Sequence, residues 1–200
     1  LQAVELAAIY AKEASGVIKE YALDPSHTTI GFAGKHMMVT TVRGRFNEFT
    51  GTVAVEDDDP TTARITATIR TASLDSGQTQ RDQHLRSADF FDVERYPEMT
   101  FTSTAVEARD GNRYRVQGDL TIKDQTRPIT LDVEVEERFN DPWGNERVGV
   151  TASGKLNRQS WGLTWNQVLE AGRLLVGDQI KLEIESALVR KATSDLAEAS

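Results

Sequence analysis

No cysteine occurs in the 200-residue chain, so disulfide staples, thiolate metal sites and a cysteine nucleophile are excluded. Histidine is scarce: His27, His36 and His84 make up the full set of 3, and their spacing matches no zinc motif. No Gly-x-Ser-x-Gly elbow, phosphate loop or dinucleotide fingerprint is present, which removes the common signatures of hydrolases and nucleotide-dependent enzymes. No apolar run approaches the roughly 20 residues that a membrane helix needs. Basic residues are the minority, 23 Lys and Arg against 31 Asp and Glu. The net charge of -8 has the wrong sign for attraction to nucleic acid or to an anionic membrane surface. Hydrophobic residues at 38% nonetheless suffice for a folded core, unlike the composition of a disordered chain.

What the chain does have is alternation. Leu1, Val4, Ala7, Ala8 and Ala11 recur at helical spacing ahead of Gly16, which predicts a short N-terminal helix within 1–17. From about Tyr21 the period changes to two. Tyr114, Val116, Gly118, Leu120 and Ile122 alternate with Arg115, Gln117, Asp119 and Thr121. Ile65-Ala67-Ile69, Ile129-Leu131-Val133-Val135, Val148-Val150-Ala152-Gly154-Leu156 and Ile180-Leu182-Ile184 repeat the pattern. These are half-buried antiparallel strands, because strands of a parallel sheet covered on both faces read as nearly continuous apolar runs. Less regular strands are expected at 28–34, 41–56 and 99–106. In the second, Phe46 is out of phase with Phe49, which predicts a bulge near Asn47-Glu48. Turns are expected at 57–60, 110–111, 124–125 and 141–145.

About eight strands with one apolar face each, and too little helix to cover a sheet, must close into a barrel or stack as a two-sheet sandwich. Strands of roughly 10 residues at about 3.3 Å per residue favour a tall barrel. Two connectors, 72–97 and 158–177, exceed the roughly 12–15 residues beyond which a loop is usually functional or disordered. Both carry apolar side chains that must pack: Leu85, Phe90 and Phe91 in one, Trp161, Leu163 and Trp165 in the other. If the strands run up and down in chain order, both connectors share one end with Lys35-His36-Met37-Met38. The opposite end is closed by short acidic turns.

An eight-stranded barrel is just wide enough either to be filled by side chains or to hold one ligand. Gly51, Ala67, Ser103, Gly118, Ala152, Gly154 and Ser186 on the apolar faces leave volume. The alternative is that Phe32, Met99, Phe101 and Tyr114 interdigitate with them to native density. If the bore is hollow, the candidate wall comprises Phe32, Phe49, Ile65, Ala67, Ile69, Phe101, Tyr114, Val116, Gly118, Leu120, Val150 and Ala152. His36, Met38, His84, Leu85, Phe91, Trp161 and Leu163 would line the mouth.

His36 is in phase with Ile30 and Phe32 and so can point inward. Arg81, Asp82, His84, Arg86 and Arg158 could meet a polar head group. The charges of 81–92 could equally cap a short helix, with Thr79 as N-cap and Asp82 three residues on. Trp161 and Trp165 read more simply as packing of the connector onto the barrel. Asp82 near His84 lacks a nucleophile, Ser87 being more simply a cap, so no catalytic or metal-ligating residue is assigned.

The same residues carry a resemblance. Asp24-Pro25-Ser26-His27, Phe32-Ala33-Gly34-Lys35-His36, Val42-Arg43-Gly44-Arg45-Phe46 and the 81–92 segment come first. Tyr96-Pro97-Glu98-Met99-Thr100-Phe101, Gly118-Asp119-Leu120-Thr121-Ile122 and Asn157-Arg158-Gln159-Ser160-Trp161-Gly162-Leu163 continue the order. Together they resemble the serial motifs of the YceI-like family over residues 21–190. Asp124-Gln125 stands where the family usually has His-Gly.

The resemblance implies an all-β fold: an eight-stranded antiparallel lipocalin-like barrel over 18–191, with one or two short helices in its connectors and a tail at 192–200. It also implies a protein that binds, sequesters or carries a long isoprenoid lipid such as a polyprenyl quinone; with no catalytic or nucleotide motif in the sequence, the expectation is a non-enzyme without cofactor. Many members are exported. The absence of a signal here sets the expectation of a cytoplasmic protein, or a secreted or periplasmic one whose signal has been removed. The rival expectations are a stress-related interaction module or homodimer with a filled barrel, and a hydrolase or isomerase using the mouth residues.

Overall fold

The computed structural model describes residues 16–168 and 174–190. The expected N-terminal helix and the tail at 192–200 lie outside the described residues, except for Gly16 and Val17. The strands are β1 (Ile18–His36), β2 (Thr40–Phe46), β3 (Phe49–Glu56), β4 (Arg64–Arg70), β5 (Leu74–Asp75) and β6 (Glu98–Ala108). They continue as β7 (Arg113–Ile122), β8 (Gln125–Val135), β9 (Phe139–Asn140), β10 (Glu146–Asn157) and β11 (Val176–Arg190). One α-helix, α1 (Thr79–Arg86), and three short 3-10 turns complete the described residues.

The sheet closes on itself. Neighbours follow chain order around the ring, and β11 returns to pair with β1, from Tyr21 opposite Arg190 to His36 opposite Val176. β2 and β3 act as one bent wall strand. The second half of β1 pairs with β2 (Ile30 to Phe46) and its first half pairs with β3 (Ile18 to Glu56). The break falls at Asn47-Glu48, where the phase change places it. With β5 and β9 as short additions, the wall is an eight-stranded antiparallel barrel.

Three sequence expectations need correction. The first strand is not confined to 28–34 but begins at Ile18. Asp24-Pro25-Ser26-His27 bulges out of its middle, so that β1 advances five positions from Leu23 to Thr28 while β11 advances two. Polar residues and a proline in that bulge conceal the continuity. The turn expected at 124–125 is Lys123-Asp124, with Ile122 paired to Gln125 and Lys123 at φ 57°. Thr79 does not cap α1. Gln78 occupies the N-cap position, and Asp82 reaches back to the Ser76 N–H (3.0 Å) and hydroxyl.

One end of the barrel is built and the other merely turned. The β1–β2 hairpin, the connector carrying α1, the Lys123-Asp124 turn and the connector after β10 share the built end. The turned end is tied by charge pairs: Arg147 bridges Asp24 (2.6 Å) and Asp141 (2.7 Å), and Lys19 meets Asp58 (2.7 Å). A small cluster of Tyr21, Val148 and Leu188 lies above these pairs. The main core runs the other way, from the wall into the connectors, through Leu74, Phe90, Trp161 and Leu163.

Candidate functional site: an apolar cavity and its mouth

The bore is hollow. A cavity of about 820 Å³ runs from the rim, at Lys35, His36, Thr40, Gln78 and Gln80, down to Leu23, Val53, Val150 and Leu188 near the turned end. Its size falls within the roughly 300–1,000 Å³ typical of small-molecule sites. The wall alternates because the strands do: inward residues are apolar and outward ones charged or polar. Ile180, Leu182 and Ile184 on β11, for example, face the cavity while Lys181 and Glu183 pair with each other outside (2.6 Å). Among the inward hydroxyls, Thr28 and Ser186 bond each other (2.9 Å).

The wall glycines keep the bore open in an indirect way. A side chain at Gly118 would begin 2.4 Å from Phe101 Cζ, at Gly51 2.6 Å from Leu23 Cδ1, and at Gly154 2.8 Å from Leu131 Cδ2. Gly44 gives Phe32 the same room, 2.4 Å from its Cζ. The large residues therefore interdigitate with the glycines, as the filled-barrel alternative requires, yet they do so along the wall. Ala67, Ala152 and Ser186 border the space directly. Ser103 is used otherwise, accepting the Ile65 N–H (2.8 Å) beside a register shift in β6.

Of the candidate lining, Phe32, His36, Ile65, Ala67, Ile69, His84, Leu85, Phe91, Phe101, Val116, Leu120, Val150, Ala152 and Leu163 border the cavity. Phe49 and Trp161 are buried in the surrounding core, the indole N–H of Trp161 donating to the Leu120 carbonyl (3.0 Å). Gly118 lies beneath Phe101, Tyr114 lies off the cavity wall, and Met38 is 60% exposed outside. The candidate lining leaves out Leu23, Ile30, Phe46, Met99, Leu131, Trp165 and the inward residues of β11, although the sequence places Ile30, Met99 and Leu131 on strand faces and Trp165 in a connector. Strand phase was available as a signal for Ile180, Leu182 and Ile184. Trp165 carried only the signal of an apolar side chain in a mouth connector, because its loop has no period to give it a direction.

Most mouth charges are spent on the fold. Arg158 is 2% exposed and holds the last connector shut. Its guanidinium donates to the carbonyls of Gly177 (3.0 Å), Trp165 (3.0 Å) and Leu163, and to Asp178 Oδ1 (3.0 Å). Burial pulls its pKa down, against the opposing charge of Asp178. Arg81 donates to Ser76 Oγ (2.7 Å) and to the Ser76 carbonyl (2.6 Å), and Arg86 to the carbonyls of Ala72 (2.9 Å) and Leu74. His84 stands edge-on to Trp165 (4.5 Å) and Phe90 (5.1 Å), its Nε2 2.9 Å from Asp89 Oδ2. Ser87 donates to the His84 carbonyl (2.7 Å). The His36 ring makes no hydrogen bond among the described residues. The arrangement can enclose an apolar chain and leave one imidazole for a polar end. Among the described residues no cluster of His, Asp and Glu has metal-binding geometry.

The fold and the sequence both have relatives. UPF0312 protein ECA1782 of Pectobacterium atrosepticum is 38% identical over 156 residues, covering 77% of this chain and 81% of the relative. Among solved structures, Burkholderia cenocepacia BcnA superposes with a TM-score of 0.72 at 22% identity, over 82% of this chain and 98% of its own. A polyisoprenoid binding domain from Saccharophagus degradans, implicated in plant cell wall breakdown, superposes with a TM-score of 0.62 at 15% identity, over 86% and 98%. The YceI-like domain is matched over residues 21–188, and the chain belongs to that family.

Proposed function

We propose that the protein holds the hydrocarbon tail of an isoprenoid lipid, of the polyprenyl quinone class or chemically close to it, and performs no reaction on it. The observation that carries this reading is the cavity of about 820 Å³ walled by apolar side chains along the barrel. The polyisoprenoid-binding neighbour in the same fold supports it. Each buried methylene contributes about 0.8 kcal/mol, so a five-carbon isoprene unit contributes roughly 3–4 kcal/mol. Three units reach the roughly 8 kcal/mol of micromolar affinity after the cost of immobilisation. Depth then selects tail length, and His36 at the rim faces the polar end.

Organic extraction of purified protein followed by mass spectrometry tests the reading. The expected result is a stoichiometric isoprenoid. Protein purified without any hydrophobe, which also fails to take up a polyprenyl quinone added in excess, would refute it. The filled-barrel alternative has the hollow bore against it.

A further inference from the structure

The rim carries apolar side chains that the cavity does not use. At the tip of the β1–β2 hairpin Met37, Met38 and Val39 are 43%, 60% and 71% exposed. Across from them Val168 is 69% exposed. The two are joined by backbone: the Met37 N–H donates to the Leu175 carbonyl (2.8 Å), and the Leu175 N–H to the Gln167 carbonyl (2.9 Å). Val168 pairs with Leu174 next to this link. The flanking residues His36, Thr40, Leu175 and Val176 border the cavity, so the exposed group is the outer continuation of the cavity wall.

Two further observations say what covers this lip. Met37 and Met38 both sit at positive φ, 52° and 60°, in a tight hairpin where Asn and Gly are the unstrained choices. Backbone strain accepted in order to display two flexible thioether chains points to contact with an apolar phase. Charge supplies the second. No carboxylate occurs between His27 and Glu48, whereas Lys35, Arg43 and Arg45 do; the described stretches at 163–168 and 174–177 carry no charge. The exposed Phe139 and Trp143 belong to the opposite end, which also carries Asp57, Asp58 and Asp59. The net charge of -8 repels an anionic surface overall, whereas the lip itself is uncharged and the charged residues of its hairpin are all basic.

We infer that this lip, Met37, Met38 and Val39 with Val168, seats the barrel mouth-first on the surface of a phospholipid bilayer, through which its cargo is loaded and released. The occupant follows from solubility: a chain that fits the cavity resides in a bilayer, and a mouth in contact with lipid spares the tail from crossing water. The inference rests on the proposed lipid cargo for its purpose. Its contact is measurable without cargo.

The test uses phosphatidylcholine vesicles and a dansyl-labelled farnesyl probe. Flotation reports vesicle binding. Probe uptake is followed from the vesicles, and separately from a dilute ethanolic dispersion that has no bilayer. Met38→Asp with Val39→Asp, or Val168→Asp alone on the other side, should lower vesicle binding and vesicle-dependent uptake by at least about tenfold, the factor carried by two buried methylenes. Uptake from the dispersion and the thermal midpoint should not move, since these side chains are exposed. Trp143→Ala, at the far end, should change none of these. Wild-type protein that does not float, or lip variants that float and load as wild type does, would overturn the inference. So would a wild-type dimer that the lip variants convert to monomer, because the lip would then cover a second copy. Failure of uptake from both sources with flotation intact would sink the cargo reading alone.

Discussion

The Phe101 ring packs against Gly118 on the neighbouring strand, its Cζ 2.4 Å from the point where a side chain at Gly118 would begin. Phe101 thereby becomes wall instead of plug. A Gly118→Val substitution must push the ring into the bore, and it also meets the Thr102 carbonyl oxygen 2.6 Å away. The expected cost is about 1–3 kcal/mol, read by chemical denaturation, together with reduced lipid uptake. Phe101→Leu added to it should recover only part, because the carbonyl stays.

Filling the space itself should separate stability from capacity. Ala67 borders the cavity across the strand pair from Phe101. Ala67→Trp should abolish uptake of a polyprenyl quinone while the thermal midpoint holds or rises, since the new ring enters empty volume. In a full core the same change would cost about 1–3 kcal/mol, so a lowered midpoint with unchanged uptake would contradict a hollow bore.

Arg158 binds the last connector through four backbone carbonyls and Asp178. Arg158→Met removes all these donors and leaves buried acceptors without partners, at an expected cost of about 3 kcal/mol. Amide exchange at Leu163 and Trp165 should accelerate well before that of β7 or β8. Equal acceleration everywhere would mean that the connector and barrel open as one unit.

The turned end should be sensitive at both extremes of pH. The Arg147 guanidinium, aided by His27, holds the Asp24 carboxyl down at about 2 against an ordinary 3.8, and Arg147 likewise holds Asp141 well below its usual range. A carboxylate depressed in the folded state contributes stability that is full above its unfolded value and lost as pH falls. Unfolding free energy should therefore decline from about pH 4 towards pH 2, and Arg147→Leu should flatten that decline. Burial, then the hydrogen bond to Glu146, raises Tyr21 from 10.0 to about 12. Its contribution is present below pH 10 and lost as pH rises towards 12. Tyr21→Phe should remove that alkaline slope.

Local sequence carried much of this fold. Period-two alternation identifies β4, β7, β8, β10 and β11, because a half-buried strand exposes every second side chain. The phase break between Phe46 and Phe49 is a local event and marks where the second wall strand bends. The first strand was only partly legible, since the Asp24–His27 bulge interrupts the pattern that its hydrogen bonds to β11 continue. The roles of the mouth residues were less legible still. Arg158 looks like a rim cation in sequence and proves to be a buried clamp, because its partners lie on the far side of a connector without periodicity.

The amino-acid order by itself determined that the chain would form antiparallel strands and that their single apolar faces must be buried against one another, as a barrel or a sandwich. Closure, through the pairing of β11 with β1, and the meeting of two unusually long connectors at one end were decided by tertiary structure. Whether the resulting tube was empty belonged to tertiary structure. Composition alone fits a filled and a hollow barrel equally, since the same phenylalanines and glycines occur in both. The outcome depends on which side chain leans over which glycine on an adjacent strand, a direction in space that spacing along one chain does not encode.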